Sequence, residues 1–515
     1  MHRALQIDEI LRCICVQIAD VDGPPALEYA PGRGDLSRLA RTCTVFVEPA
    51  LDSLWTFQDT LLNLLRTMPS DLWHIMEIPP DDVRASWGDV DSSLEISLLR
   101  SPRGSDWDRF KLYARRVKSF VDERICSETS VVYDTLASEF RNGTIFPMLE
   151  ILHWFSVEPE LFDCIHLFLS PGLTRLNIHS APDGAISASL KLPRLKQFSI
   201  GFTRHPSISR FVCTLRDLER LVVPELDLKA LNHLSRLPCL RHLWLMSPQP
   251  PHYPPPPHDL PCFPALRIFE CESIEAAPNL LRRTGRSLVQ FELAARSWRT
   301  IPTQQIFREL YAALASSCTH SLLEKITVEQ PRHAQPIIST QLNLYVLSGD
   351  DLKKLFCFNN LVHVSLAHII AVDLDDAVAL DMARAWPRIE LLLFPCDNTH
   401  RIKPRMTLEG VYAFAKHCPL LQKLAILFNA TTVPKSHLTA GEKEQQPVVS
   451  QDKLEILDVA YSFIGAEPRE WLPVANLLRS IFPALRHVKA MKPDSSTDAR
   501  ALAMSKAWTQ LSRGF

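Results

Sequence analysis

Hydrophobic positions in most of the chain follow one recurring pattern: a hydrophobic residue, Pro, any residue, then Leu or Ile ahead of alternating hydrophobic residues. The stretch Leu192–Phe198 is one copy. Pro cannot continue a preceding helix, and its fixed φ suits an extended entry into a strand. The alternation that follows predicts a short strand with one face in the core. The leading Leu or Ile stands at positions 149, 173, 195, 218, 240, 266, 288, 323, 361, 389, 421, 454 and 485.

These positions form a repeat whose spacing is 22–26 residues as far as Leu288 and 28–38 residues after it. A single match means little in so apolar a chain, but the Pro two places before the leading residue recurs seven times. No unit can bury its face alone, so the units must stack and share a core. The pattern predicts an α/β, leucine-rich-repeat-like solenoid over 146–492, with Leu243 and Leu245 in the core and a helix from Leu408 to His417.

The N-terminal segment predicts three short helices. Residues 5–18 carry apolar residues at helical spacing, residues 19–34 form a Gly- and Pro-rich loop, and helices follow over 36–46 and 50–55. Helices this short are not stable alone, so they must pack on one another or on a partner.

Two further regions are assigned from periodicity. Apolar residues at helical spacing predict helices over 58–68 and 105–125, which makes 58–145 a mainly helical linker. The C-terminal tail, 493–515, forms one helix or stays disordered.

Composition and charge disfavour several classes of function. The net charge of −2 argues against binding nucleic acid through a basic face, and only 15 Gly leave little room for glycine-rich phosphate loops. The sequence contains no run of 18 apolar residues, so it predicts no membrane span. The first residues lack the apolar run of a signal peptide. Thirteen scattered Cys then predict reduced thiols in the cytoplasm or the nucleus.

Motifs of catalysis are absent from the sequence: there is no P-loop, no G-x-S-x-G and no H-E-x-x-H. Cys13 and Cys15 face different sides of a helix, and no second pair follows at zinc spacing. We therefore predict no catalytic residue, cofactor or metal. A hydrolase on an irregular α/β fold is a competing hypothesis, and it requires a buried His beside a nucleophile and a carboxylate.

Two clusters of possible metal ligands are better explained without a metal. His252, His258 and Cys262 lie near one another, but no fourth ligand accompanies them, and a solvated loop is favoured. The carboxylates of 373–376 lack the Gly and the terminal Glu of a calcium loop, so the start of a helix is favoured there.

Residues 5–55 resemble an F-box, a three-helix motif that docks a substrate receptor onto a ubiquitin ligase. The resemblance is carried by Ile7–Ile14, Asp35–Cys43, Phe46 and Leu51–Trp55. Gln6-Ile7 stand where the family has Leu-Pro, and the loop 19–34 is longer than usual. With the repeats, the layout resembles the F-box proteins with leucine-rich repeats found in mushroom-forming fungi.

The resemblance implies a small all-α F-box over 1–57 and a role as the substrate-recognition subunit of an SCF-type ligase. The expected partners are the SCF adaptor, through it a cullin, and an unknown protein substrate, with no nucleic acid and no membrane. A three-helix motif uses part of each apolar face internally, so only some of the apolar residues are expected at the interface. The residues expected to bind the adaptor are Ile7, Ile10, Leu11, Ile14, Leu36, Leu39 and Phe46.

Substrate binding is expected on the third and fifth residues of each repeat, which line the concave face. In and beside the repeat from Leu240 these are Arg220, Val222, His242, Trp244 and Met246. An exposed Trp flanked by Met and Arg is typical of an interaction hot spot. The Pro-rich run 248–257 is an alternative cover for Trp244, as an extended loop insertion or, less favoured, a polyproline ligand.

The sequence thus predicts a non-enzymatic receptor that presents a protein for ubiquitin transfer. The alternative is a leucine-rich-repeat interaction scaffold without a ligase function. Adaptor binding by residues 1–58 discriminates between the two.

Overall fold

The computed structural model describes two compact units, Met1–Ala230 and Leu231–Phe515. The residues it describes are 7–19, 32–78, 93–122, 129–141, 143–155, 159–186, 190, 192–246, 263–294, 303–329, 346–367, 371–394, 403–433, 449–490 and 499–513. Each unit contains a parallel sheet to which successive repeats add strands, as the repeat pattern predicts.

The first unit has a parallel sheet in the order β1-β4-β5-β6-β7-β8, and an antiparallel hairpin, β2-β3. The strands are β1 (Phe57–Gln58), β2 (Trp73–Ile78), β3 (Ser93–Leu98), β4 (Ser119–Asp122), β5 (Ile151–Trp154), β6 (Arg175–Ile178), β7 (Gln197–Ile200) and β8 (Arg220–Val223). The α-helices are α1 (Asp8–Ala19), α2 (Arg33–Ala40), α3 (Thr44–Thr56), α4 (Leu62–Leu65), α5 (Asp108–Ala114), α6 (Thr129–Glu139), α7 (Pro159–Phe162), α8 (Pro206–Val212) and α9 (Leu228–Leu234), the last of which contains the division point.

The second unit has a parallel sheet in the order β9-β10-β11-β12-β14-β16-β17-β18-β19, and a separate parallel pair, β13-β15. The strands are β9 (His242–Leu245), β10 (Ile268–Cys271), β11 (Gln290–Ala294), β12 (Lys325–Glu329), β13 (Val346–Ser348), β14 (His363–Ala367), β15 (Ala371–Asp373), β16 (Leu391–Leu393), β17 (Lys423–Ala425), β18 (Ile456–Ala460) and β19 (His487–Ala490). The α-helices are α10 (Ala277–Thr284), α11 (Gln304–Ser317), α12 (Gly349–Leu352), α13 (Asp376–Ala385), α14 (Leu408–His417), α15 (Pro468–Ile481) and α16 (Ala499–Ser512).

Each of the leading Leu or Ile residues lies two residues before a strand of one of these sheets, from Leu149 before β5 to Leu485 before β19. Their side chains are at most 5% exposed, and Leu243 and Leu245 are fully buried. The strand residues that alternate with the buried ones form the opposite face of the sheet. We call it the outer face, and it contains the positions that the sequence analysis expects on the concave side. The repeat prediction is confirmed at the level of single residues.

The boundary between linker and repeats was wrongly placed. Residues 58–145 are not a mainly helical linker, because β1 and β4 already belong to the parallel sheet and β2-β3 is a hairpin. The predicted helix 105–125 ends at Ala114, and Phe120 and Val121 are buried strand residues. Helical spacing is misleading here because β4 gains its hydrogen bonds from β1 and β5, which are both distant in sequence.

The N-terminal helices pack around a small core of Cys15, Leu36 and Ala50. The second helix ends earlier than predicted: the Thr42 hydroxyl donates to the carbonyl of Leu39 at 2.7 Å, and α3 begins at Thr44. Phe46 therefore lies on α3 and not on the second helix.

Several local predictions are confirmed. Helix α14 runs from Leu408 to His417, and Asp375 caps α13 by accepting a hydrogen bond from the Val378 N–H. Cys13 is exposed and Cys15 is buried, so the two thiols face different sides of α1.

The tail contains α16, which packs on the last strand, β19. Trp508 is 1% exposed, and its indole N–H donates to the carbonyl of Ser462 at 2.9 Å. Among the described residues, every helix is too short or too polar to cross a bilayer.

Candidate functional site

Exposed apolar residues lie at the start of α1, where Ile7 immediately precedes the helix and Ile10 lies on the side that we call outward. Ile7 is 47% exposed and Ile10 is 37% exposed, while Ile14 is half-buried. Leu11 and Leu36 are each 1% exposed. This corrects the predicted adaptor-binding set, because these two leucines are buried within the chain and offer no surface to a partner.

The remaining predicted adaptor residues, Leu39 and Phe46, are intermediate in solvent exposure. Leu39 is half-buried and packs against the Cys15 core, and Phe46 is half-buried on α3. A shallow groove of about 540 Å³ follows the outward side of α1. Its lining residues are Glu9, Ile10, Cys13, Ile14, Gln17 and Ile18.

The opposite side of α1 joins an ion-pair network that the sequence analysis did not anticipate. Arg12 lies 2.6 Å from Asp8 and 2.6 Å from Asp52. Arg116, whose side chain is only 7% exposed, pairs with Asp52 and, at 2.6 Å, with Glu48. Burial opposes the charge of Arg116, but both carboxylates together raise its pKa above the ordinary value. The network ties α1 and α3 to the segment that leads into β4.

In the first unit, the outer face carries Arg220 and Val222 of the predicted substrate-binding set. Arg220 is exposed, but Val222 is only 5% exposed and offers little surface. The prediction is corrected at Val222, which is enclosed by its neighbours although it occupies an outer-face position.

An aromatic row beside the ends of β5–β7 was missed. His153 stacks on Phe155, Phe155 contacts His179, and His179 contacts Phe202 at a ring-centroid distance of 4.9 Å. Phe202 is 73% exposed. The burial of His153, together with the nearby Arg175, lowers the pKa of its imidazole.

In the second unit, the predicted residues His242 and Trp244 are consecutive outer-face positions of β9, and Met246 follows the strand. All three are half-buried. His242 Nε2 lies 2.7 Å from Glu270 Oε1. The Pro-rich run 248–257, the alternative cover for Trp244, lies outside the described residues.

The parallel register extends this face into a polar cluster. Trp244 is the register partner of Glu270, Glu270 is the partner of Glu292, and Glu292 is the partner of Thr327. Register partners in a parallel sheet are about 4.8 Å apart, so their side chains are neighbours. We call these four residues the Glu270–Glu292 site.

The electrostatics of this site are unbalanced. The carboxylates of Glu270 and Glu292 are only 16% and 23% exposed. Burial, reinforced by the negative charge of Glu270, raises the pKa of Glu292. The ammonium of Lys325 is the nearby cation, at 3.7 Å from Glu292.

Thr327 lies beside Glu292 in register and is the last residue of the site. Its side chain is 4% exposed, and its hydroxyl has no hydrogen-bond partner among the described residues. A buried hydroxyl without a partner costs about 1–3 kcal/mol, so such groups call for an explanation.

The repeat offset could have located Glu270, Glu292 and Thr327, because each stands four places after a leading Leu, as Trp244 does. The offset does not predict how deeply these residues are buried, and their burial is what makes them unusual. That burial depends on how neighbouring side chains cover one another across the sheet.

The other candidate chemistry yields little. His205 Nδ1 lies 2.8 Å from the Ser207 hydroxyl, but the same nitrogen caps α8 by accepting the Ser207 N–H. No cluster of potential metal ligands is found within the described residues. His252, His258 and Cys262 lie outside them.

Comparisons with known proteins give structural similarity only. No protein-family model matches the sequence, and no curated protein matches it. Among solved structures, the chain is similar to an internalin from Listeria monocytogenes, at 12% identity and a TM-score of 0.35 over 84% of this chain and 96% of that chain. It is also similar to CroV588, a circular leucine-rich-repeat protein, at 10% identity and a TM-score of 0.32 over 73% of this chain and 46% of that chain.

Proposed function

We propose that this chain is the substrate-recognition subunit of an SCF-type ubiquitin ligase. The three N-terminal helices dock the adaptor, and through it a cullin, while the repeats bind a protein substrate. The chain acts in the cytoplasm or the nucleus and performs no chemical step itself. The repeat array, which suits protein interaction, is the part of this proposal that the fold supports directly.

The observation that carries the adaptor part is the outward apolar side of α1. A short helix in a three-helix unit has no need to expose Ile7 and Ile10, since its core is already formed by Cys15, Leu36 and Ala50. Apolar side chains beside a groove favour a protein partner that covers them. This arrangement fits the F-box resemblance of residues 5–55.

A second feature supports separate roles for the N-terminal helices, which dock the adaptor, and the repeats, which bind the substrate. The Arg116 network fixes α1 and α3 to the start of the β4 strand through charge-assisted hydrogen bonds. A receptor that must hold a substrate at a set position relative to the ligase benefits from a rigid connection of this kind.

The test is co-purification of the full-length chain with the fungal SCF adaptor. Wild type is compared with Ile7→Asp/Ile10→Asp, which places charges on the outward side of α1 without touching its core. A charge in an apolar interface costs several kcal/mol, so we expect capture to be lost. Leu11→Asp is unsuitable, because Leu11 is 1% exposed and a charge there would destabilise the helix packing itself.

The matched control is Val16→Asp, a substitution of an exposed apolar residue on the other side of the same helix. We expect this variant to bind the adaptor as wild type does, and circular dichroism confirms that all variants are folded. Folded wild type that captures no adaptor would overturn the ligase role and leave a repeat scaffold. Equal loss in both variants would place the contact elsewhere than on the outward side.

A further inference from the structure

We infer that the outer face of β5–β8 binds an extended segment of the protein partner that carries acidic residues and one apolar residue. The acidic side chains pair with Arg175 and Arg220, and the apolar side chain packs on the aromatic row at Phe202. The inference deepens the substrate-binding half of the proposed function and rests on it. It does not depend on adaptor binding.

The charges on this face are positive. Arg175 and Arg220 are exposed, and neither side chain has an ion-pair or hydrogen-bond partner among the described residues. The carboxylates that directly precede these strands, Glu150 and Glu219, pair with lysines at 3.6 Å and 3.0 Å. The outer-face positions include no carboxylate: they are Ile151, His153, Arg175, Asn177, Gln197, Ser199, Arg220 and Val222. Both guanidinium groups therefore remain available to the carboxylates of a partner.

The register sets the distance between the two arginines. Gln197 is the register partner of Arg175 on one side and of Arg220 on the other. Neighbouring strands are about 4.8 Å apart, so the two arginine Cα atoms are about 10 Å apart. Each guanidinium can meet a carboxylate of its own, which suits a segment with more than one acidic residue.

Phe202 supplies an apolar contact at the other end of the same face. Its side chain is 73% exposed, more than any other large apolar side chain among the described residues. Alternation along β6 places His179 on the outer face, and its ring centroid lies 4.9 Å from that of Phe202. An exposed aromatic residue near arginines is typical of an interaction hot spot.

The backbone holds Phe202 in this exposed position. The Phe202 N–H donates to the carbonyl of His179 at 3.1 Å, and a Cβ on Gly201 would lie 2.4 Å from that same oxygen. The Thr203 hydroxyl accepts from the Ala181 N–H at 2.7 Å and donates to the Ala181 carbonyl at 2.8 Å. Because its backbone is already fixed, Phe202 loses little freedom when a partner covers it, and this favours binding.

A protein segment suits this face better than a nucleic acid does. A nucleic acid is bound through a series of cations along its phosphates. The outer face of β5–β8 offers two arginines, and the repeat fold itself is suited to binding proteins.

The test selects ligands for the full-length chain from a displayed library of random 12-residue peptides. We expect the enriched peptides to combine acidic residues with an apolar residue about four or five positions away, since extended chains rise about 3.3 Å per residue. Replacing the acidic residues of a selected peptide by Asn or Gln should weaken binding about fivefold or more. Added salt should also weaken binding, because it screens exposed charges.

Three variants of the chain locate the contact. Arg175→Gln/Arg220→Gln should weaken binding of the selected peptide about fivefold or more, since two ion pairs are lost. The control Arg194→Gln/Arg210→Gln removes the same charge at exposed positions, one before the leading Leu of its repeat and one on α8, and should leave binding unchanged. Phe202→Ala should weaken binding about tenfold or more while the melting temperature stays close to that of wild type, because the ring is mostly exposed.

A library that yields no acidic peptide overturns the inference, and so does a selected peptide that binds either Arg175→Gln/Arg220→Gln or Phe202→Ala as tightly as wild type. A single-stranded oligonucleotide that binds the same residues more tightly than the peptide would also overturn it. Adaptor capture is measured on the same preparations. Absent capture with intact peptide binding refutes the ligase role alone, and the reverse result refutes the acidic-segment site alone.

Discussion

At the scale of single residues, Gly32 holds the start of α2 against the end of α1. A methyl group placed on its Cα would lie 1.9 Å from the backbone oxygen of Ile18. Backbone cannot swing aside as a side chain can, so the two helices must separate to admit any larger residue. The need for Gly here is a matter of space, since its φ of −80° is open to every residue.

We therefore expect Gly32→Ala to destabilise the three-helix unit by about 1–3 kcal/mol, the usual cost of overpacking. Hydrogen exchange of the α1 and α2 amides measures it, and a loss of this size accelerates exchange roughly tenfold or more. Gly34→Ala is the matched control, because Gly34 lies within α2 and has open space around its Cα. It should slow exchange slightly, since Ala favours a helix. Equal exchange in the two variants would contradict the close packing of α1 on α2.

At the scale of elements, α16 packs on β19, the strand at one end of the described sheet. Strand β19 is an edge strand with exposed His487 and Lys489. Helix α16 covers part of it, with Ala507, Trp508 and Leu511 buried. Repeat proteins need such terminal elements because the final repeat has no neighbour on which to bury its core.

Trp508→Ala should lower the free energy of unfolding of the second unit by about 3–5 kcal/mol, through lost burial and the lost hydrogen bond to Ser462. Urea denaturation followed by circular dichroism measures the shift. Gln510→Ala changes an exposed residue of the same helix and should stay within about 0.5 kcal/mol of wild type. If the tryptophan variant unfolds at the wild-type midpoint, α16 is not a structural cap.

The elements also show what the sequence could and could not supply. The strands after Leu149 were predictable because each repeat carries its own signal: a buried leading residue and a two-residue alternation. Strand β4 was not, because the spacing of Trp107, Phe110 and Phe120 fits a helix locally, and pairing with β1 and β5 makes 119–122 extended. Local patterns cannot report a partner that lies 30 residues away.

The candidate sites follow the same division. The offset from the leading Leu places Trp244 on the outer face, and helical spacing places Ile7 and Ile10 on one side of α1. Burial determines which of the predicted residues are accessible. Leu11 and Val222 are buried, and the buried hydroxyl of Thr327 has no hydrogen-bond partner among the described residues. Those properties belong to packed neighbours and not to any one segment of sequence.

At the scale of the whole molecule, both units contain histidines whose protonation opposes folding. Burial and Arg175 lower the pKa of His153 in the first unit, and burial, Lys325 and Lys423 lower the pKa of His363 in the second. A histidine with a lowered pKa gives its full contribution above the unfolded value of about 6.5. That contribution is lost as the pH falls through the window between the unfolded and folded pKa values. Glu292 acts in the opposite sense, because its raised pKa means that the folded protein takes up a proton first.

We expect the free energy of unfolding to fall between about pH 7 and pH 5, and His363→Gln to make this fall shallower by up to about 1 kcal/mol, since the ring is partly exposed. Urea titrations at several pH values provide the measurement. His74→Gln removes an exposed histidine and should reproduce the wild-type slope. Parallel pH profiles for wild type and His363→Gln would mean that neither burial nor the two lysines oppose protonation of this ring. The reason for expecting a difference is that unfolding separates His363 from both lysines and returns its imidazole to water.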